Sequence, residues 1–251
     1  MKGINGKPYI NLEELVDLSI FNLEEIELGL AAAPGRVMNY FGMGIDPTYN
    51  DLAFYLHHKP DSLSEREEML WQLQNERPNM WRMYCKLKFG AFSGSWIVPL
   101  TMMRPISGVD RYTSIDVQDA FTLISEHAKL FPSVMKFTNN LDYFSEVGRV
   151  TFFIQDHHCP LPAHSDNPKL AFSDINRDDA PSEFMWLSPR RMKNFFILDE
   201  ETHQKHFVTS KAAWFNSFDK HGGEPTSVMT WSLRIDGKFS ESFRAKVNRA
   251  S

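Results

Sequence analysis

Cysteine is nearly missing from this chain: Cys85 and Cys159 are the only two among 251 residues. They stand far apart with no CxxC spacing, which excludes a disulfide framework and a zinc knuckle of the usual ligand spacing. Two isolated thiols behave as small apolar side chains and suit a reducing compartment. Long apolar runs are missing too. No segment approaches the roughly 18 consecutive apolar residues of a membrane span, and the opening residues, Met1 to Gly6, lack the apolar centre of a signal peptide. The expectation is a cytoplasmic protein with no membrane partner. Positive charge is likewise scarce, with 27 Lys and Arg against 32 Asp and Glu and a net charge of −5. A nucleic-acid binder needs a clustered basic surface to neutralise phosphates, and the pair Arg190 and Arg191 is too small to make one. Repeats and low-complexity tracts are also lacking.

What the chain does have is bulk. Hydrophobic residues make up 42%, including 20 Phe and 6 Trp, enough for a sizeable core. The first part reads as mainly helical. Asn11 precedes an acidic, leucine-rich turn at 12–18, a second helical pattern runs from Asp61 towards Pro78, and a third from Ser114 to about Leu130. Ser93 to Leu100 interrupts these as a strand. From Pro132 the pattern changes to short strands between turns: 149–155, 194–199, 206–209, 212–218 and 227–235. Regular short strands of this kind point to a sandwich or barrel of the jelly-roll type. The organisation expected is one domain over 1–251, with a mainly helical support over 1–131 packed on a β core over 132–245.

Three features of the β part carry chemistry. In an extended segment, residues i and i+2 share a face, so His164 and Asp166 can offer an imidazole and a carboxylate to one ion. His221 follows 57 residues later (221 − 164), before the glycine pair Gly222 and Gly223 that is expected to end a strand. Two histidines and a carboxylate on one face of iron(II) leave three positions open. Arg234 lies 13 residues beyond (234 − 221), on the same strand face as Ser232. An inward arginine needs an anion, which a dicarboxylate can supply. Each residue also has a plainer role open to it. The histidines can be surface residues, Asp166 can cap a turn with Asn167 and Pro168, and Arg234 can pair with Asp236 or Glu241. His157 and His158, being adjacent, face opposite ways and are not expected to share an ion. His203 and His206 are expected in an exposed hairpin turn. Met38, Tyr40, Phe41, Met43, Met102 and Met103 are expected in core packing.

The order HxD, distal His, then Arg resembles that of the iron(II)- and 2-oxoglutarate-dependent dioxygenases. The stretch 149–166 looks like that family's strand leading into HxD, and 195–216 like its hairpin before the distal histidine. The resemblance covers roughly 132–243. It implies a mainly β fold with α, built on a double-stranded β-helix (jelly-roll, cupin-like) core. It implies iron(II) held by His164, Asp166 and His221, with 2-oxoglutarate as co-substrate held by Arg234 and Ser232. O2 would be consumed and succinate and CO2 released as a C–H bond is hydroxylated. Because Asp166 is present, hydroxylation is favoured over halogenation. Arginines near the metal often hold an acidic substrate in this family, and Arg149 and Arg104 are the first candidates. A small organic substrate such as an amino acid or related carboxylic acid is expected. The alternatives are a peptide side chain, a cupin-like metalloenzyme without 2-oxoglutarate, and a non-catalytic binding domain.

Overall fold

The structure is a computed structural model that describes residues 1–33, 36–37, 95–103, 121–123, 125–155, 160–165, 183–190 and 193–250. The helix expected after Asp61 and the tract at 38–43 lie outside the described residues, as do Asp166, Arg104, His157, His158 and both cysteines.

The strands are β1 (Tyr9–Asn11), β2 (Arg36–Val37), β3 (Ser95–Pro99), β4 (Thr101–Met103), β5 (Phe121–Leu123), β6 (Phe144–Gln155), β7 (Leu161–His164), β8 (Phe184–Leu187), β9 (Phe195–Leu198), β10 (Lys205–Phe207), β11 (Ala212–Phe215), β12 (His221–Gly223) and β13 (Thr230–Phe239). The helices are α1 (Leu23–Ala32), α2 (Ser125–Ala128), α3 (Pro132–Thr138) and α4 (Glu241–Ala250). Among the described residues, a larger sheet runs β1-β11-β8-β13-β6-β3-β2 and a smaller one β10-β9-β12-β7. All pairings in both are antiparallel. From β6 to β9 successive strands alternate between the sheets, and β11, β12 and β13 alternate again. That order is the double-stranded β-helix expected from the resemblance.

A helical N-terminal half is not supported among the described residues. The segment after Asn11 turns instead of coiling, because β1 pairs along β11 and Leu12 N donates to Ala212 O at 2.9 Å. Asp17 then caps a short 3-10 turn, Leu18–Ile20, and the helix starts only at Leu23, with Asn22 as its N-cap. The third expected helix is also corrected where it is described: Phe121–Leu123 pair with β4, and Ser125–Ala128 form α2. Conversely, Pro132–Thr138 is a helix where strands were expected, opened by proline in its first turn. Lone amphipathic patterns are weak evidence when a sheet edge is available to claim the backbone. Among the described residues, no helix is long and apolar enough to cross a membrane.

The outer face of the larger sheet is covered by helices through aromatic contacts. Phe131, just before α3, meets Phe152 of β6 at 4.8 Å between ring centres, and Phe152 meets Trp231 of β13 edge-on at 5.5 Å. Phe243 of α4 meets Phe239 at 5.1 Å and Tyr143 at 5.5 Å. Alternation along β13 therefore turns Trp231, Leu233 and Ile235 outward to these helices and Ser232, Arg234 and Asp236 inward between the sheets. Phe131 is fully buried against α1 and β6. Its replacement by alanine is expected to cost about 3–5 kcal/mol of stability, measurable as a lower urea midpoint with an unchanged slope.

Candidate metal and anion site

The smaller sheet brings the two histidines together. β12 lies between β7 and β9, and His221 is level with His164 on one side and Ile197 on the other. His164 ends β7 and His221 begins β12, so antiparallel pairing sets them at the same edge. Their ring centres are 4.6 Å apart with the planes inclined at 55°. The glycine pair ends the strand, as expected from sequence, and also forms most of it. A Cβ on Gly222 would stand 2.7 Å from Leu161 O and 2.9 Å from a Phe196 ring carbon, so a side chain there would push β7 away.

His221 is buried among Phe215 (5.1 Å) and Phe195 (5.7 Å). Its Nδ1–H donates to Asp219 O at 2.9 Å, which fixes the tautomer in which Nε2 carries the lone pair suited to a metal. His164 is half-buried. Asp166, two residues on, is outside the described residues, and among those described no group of three His, Cys, Asp or Glu gathers around one point. His203 is exposed with φ 56°, and His206 is half-buried in β10, level with Ile197 of β9.

Between the sheets, Arg234 and Arg149 meet one acid that the sequence reading placed only as a possible surface partner. Arg234 is 7% exposed, and its Nε and terminal nitrogen lie 2.9 and 2.8 Å from Asp236 Oδ1. Arg149 Nε donates to Asp236 Oδ2 at 2.7 Å. Burial alone would push the Asp236 carboxyl up, but the two guanidiniums, Arg149 first and then Arg234, outweigh it and hold the group below its ordinary range. The Arg234 guanidinium also lies over the Phe184 ring, 3.9 Å from its centre. Phe184 packs on Phe215 at 4.8 Å, so one aromatic wall runs from Arg234 to His221. Arg190 instead pairs at the surface with Glu27 of α1.

Sequence reasoning missed Lys193. It precedes β9 and reaches across the interior, where its Nζ donates to Ser232 Oγ at 3.0 Å and Phe153 O at 3.4 Å. These acceptors sit on facing residues of β13 and β6. Among the described residues no carboxylate pairs with it, and burial lowers its pKa to about 7. A single lysine before an apolar run gives no signal of burial; only the packing of the two sheets does.

No protein-family model matches the chain, and no curated protein matches it by sequence. Solved structures do. The chain is similar to a prolyl-4-hydroxylase from Pseudomonas putida, at 11% identity and TM-score 0.27, over 58% of this chain and 70% of that one. It is similar to an oxidoreductase of the 2OG-Fe(II) oxygenase family from Burkholderia pseudomallei, at 11% identity and TM-score 0.35, over 57% and 66%. A prolyl hydroxylase from Trichoplax adhaerens aligns over 89% and 94%, at 10% identity and TM-score 0.30.

Because Lys193 holds its proton less tightly folded than unfolded, unfolding takes up a proton between pH 7 and about 10, and stability rises with pH across that window. Lys193→Met is expected to be more stable than the parent at pH 7. The gap should close as pH approaches about 10, read from denaturant unfolding at a series of pH values. A gap that does not change with pH would show that Lys193 is not a buried, readily deprotonated amine.

Proposed function

We propose that this chain is an iron(II)- and 2-oxoglutarate-dependent oxygenase acting as one domain, with His164, Asp166 and His221 as the metal ligands. The observation that carries the proposal is the histidine pair. Two imidazoles sharing an ion at right angles through bonds of about 2.1 Å have centres roughly 4.6 Å apart, and the observed separation is 4.6 Å. His221 already has the ring nitrogen away from the metal engaged with a carbonyl, as metal-binding histidines commonly do. Asp166 follows His164 at the i+2 spacing that supplies the carboxylate.

The far carboxylate of 2-oxoglutarate would be held by Lys193 and Ser232. Arg234, expected from sequence to take that part, already has Asp236 as its anion, so its charge is largely answered before any ligand arrives. Lys193 has a hydroxyl and a carbonyl as acceptors but no countercharge among the described residues. An incoming carboxylate would favour its charged form and turn a buried cost into an attraction. Arg234 would then border the same cavity and orient the co-substrate from the side.

Iron(II) in this site would supply the oxidative chemistry, in which O2 and 2-oxoglutarate give succinate and CO2 as one oxygen atom enters a substrate C–H bond. The protein would contribute placement and exclusion of water, with Phe184, Phe195 and Phe215 as the wall. For substrate we propose a small organic acid or amino acid. Arg149 supports this: its side chain is 37% exposed and its guanidinium has donors beyond the one given to Asp236. Arg104 would be a second candidate, because it directly follows β4 in sequence.

The test is anaerobic titration of the iron(II)-loaded protein with 2-oxoglutarate, followed through the visible charge-transfer band of the chelate. The band should form in the parent and be lost in His221→Ala and Asp166→Ala. In Lys193→Met the 2-oxoglutarate Kd should weaken about tenfold or more, the loss expected for a charge-assisted hydrogen bond. A loaded protein that gives no band would refute the co-substrate, and an unaltered Kd in Lys193→Met would return that role to Arg234. Succinate release with free acids but not with peptides would support the substrate class.

A further inference from the structure

The turn that carries His221 is held from outside by the beginning of the chain. Asp219 is 6% exposed, and its carboxylate accepts backbone hydrogen bonds from Lys2 N at 2.6 Å and Gly3 N at 2.7 Å. The carbonyl of the same residue accepts the His221 Nδ1–H. Asp219 N in turn donates to Asn216 O at 3.0 Å, and Phe218 N to Asn216 Oδ1 at 3.1 Å. The turn is therefore tied internally by Asn216 and externally by two amides on one carboxylate.

The sequence delivers those amides by local rules. Asn5 and Gly6 have φ of 51° and 75°, the pair of left-handed residues that a tight Asn-Gly hairpin turn demands. Ile4 N and Lys7 N exchange bonds with the opposite carbonyls at 2.9 and 3.0 Å. Gly3 sits at φ 65°, where a Cβ would stand 2.4 Å from Lys7 O, so only glycine aims its amide this way without strain. β1 then pairs with β11, Tyr9 level with Phe215, and this lays the hairpin over the turn that follows β11.

We propose that Lys2, Gly3 and Asp219 form a clasp that orients the Asp219 carbonyl and so keeps His221 in the Nδ1–H tautomer with Nε2 toward the metal. Asp219 is a positioning residue in this scheme, and the proposal rests on His221 being a metal ligand. The carboxylate is engaged by the Lys2 and Gly3 amides. It acts through its own backbone, three bonds from the carbonyl that accepts the imidazole N–H hydrogen bond.

The test uses the full chain labelled with 15N-histidine, above the pH at which the imidazole titrates. Long-range proton–nitrogen spectra read the His221 tautomer without any metal, and cobalt(II) titration reads the site. The parent should show Nδ1–H. Asp219→Ala and Gly3→Ala should each give a tautomer mixture and weaken cobalt(II) binding about tenfold, with Asp219→Asn between them and the parent because it keeps one acceptor oxygen. Folded variants, judged by near-UV circular dichroism, that retain the parent tautomer and a cobalt(II) Kd within about twofold of the parent would overturn the clasp. If Asp219→Ala does not fold, Gly3→Ala and Asp219→Asn decide the matter. Cobalt(II) binding that is indifferent to His221→Ala would refute the metal site, while the tautomer comparison would still decide the clasp.

Discussion

A three-residue strand between two neighbours sets the geometry on which the site depends. β12 pairs with β7 on one side and β9 on the other, and the rung at His221 fixes His164, His221 and Ile197 at one level. Antiparallel pairing puts the end of β7 beside the start of β12, so residues 57 positions apart (221 − 164) meet at one edge. Two of the three residues of β12 are glycine, and the neighbouring backbones close to distances that a side chain would not permit. A slip of one residue would turn His221 out of the interior and Gly222 into it.

From that rung the interior charges fall into two kinds. Arg149 and Arg234 share Asp236, and the delocalised guanidinium of Arg234 also rests on an aromatic face, so both tolerate a low-dielectric setting fully charged. Lys193 has a compact ammonium with neutral acceptors and no such compensation, and burial moves its titration to about 7. The first pair thus has a countercharge in Asp236. In the proposed function, Lys193 and Ser232 would form the place where an anion gains most from binding, because its charge would meet a cation with no carboxylate partner among the described residues.

The outer shell has a different part. Phe131, Phe152 and Trp231 bind α3 to the larger sheet, while the hairpin of residues 4–7 and β1 close over the edge that leads to His221. The segment expected to be a helical support is thus in part a strand and a clasp. Through Lys2 and Gly3 it reaches the turn behind His221 by hydrogen bonds.

The sequence by itself determined the residues with chemical reach and their alternation. HxD spacing, the distal His221, and the inward face of Ser232 and Arg234 all follow from period-two geometry in β-prone segments. It also marked most of the strands from β6 onward, since β-branched and aromatic runs between turns leave few other options. Tertiary structure alone decided the rest. Whether residues 12–17 would coil depended on a sheet edge being free to bind Leu12, and Phe121–Leu123 became a strand because β4 lay beside it. The burial of Lys193 and the contact of Arg149 with Asp236 were decided in the same way. A charged side chain's cost and countercharge are set by what packs around it from distant parts of the chain, and spacing along the sequence does not encode that.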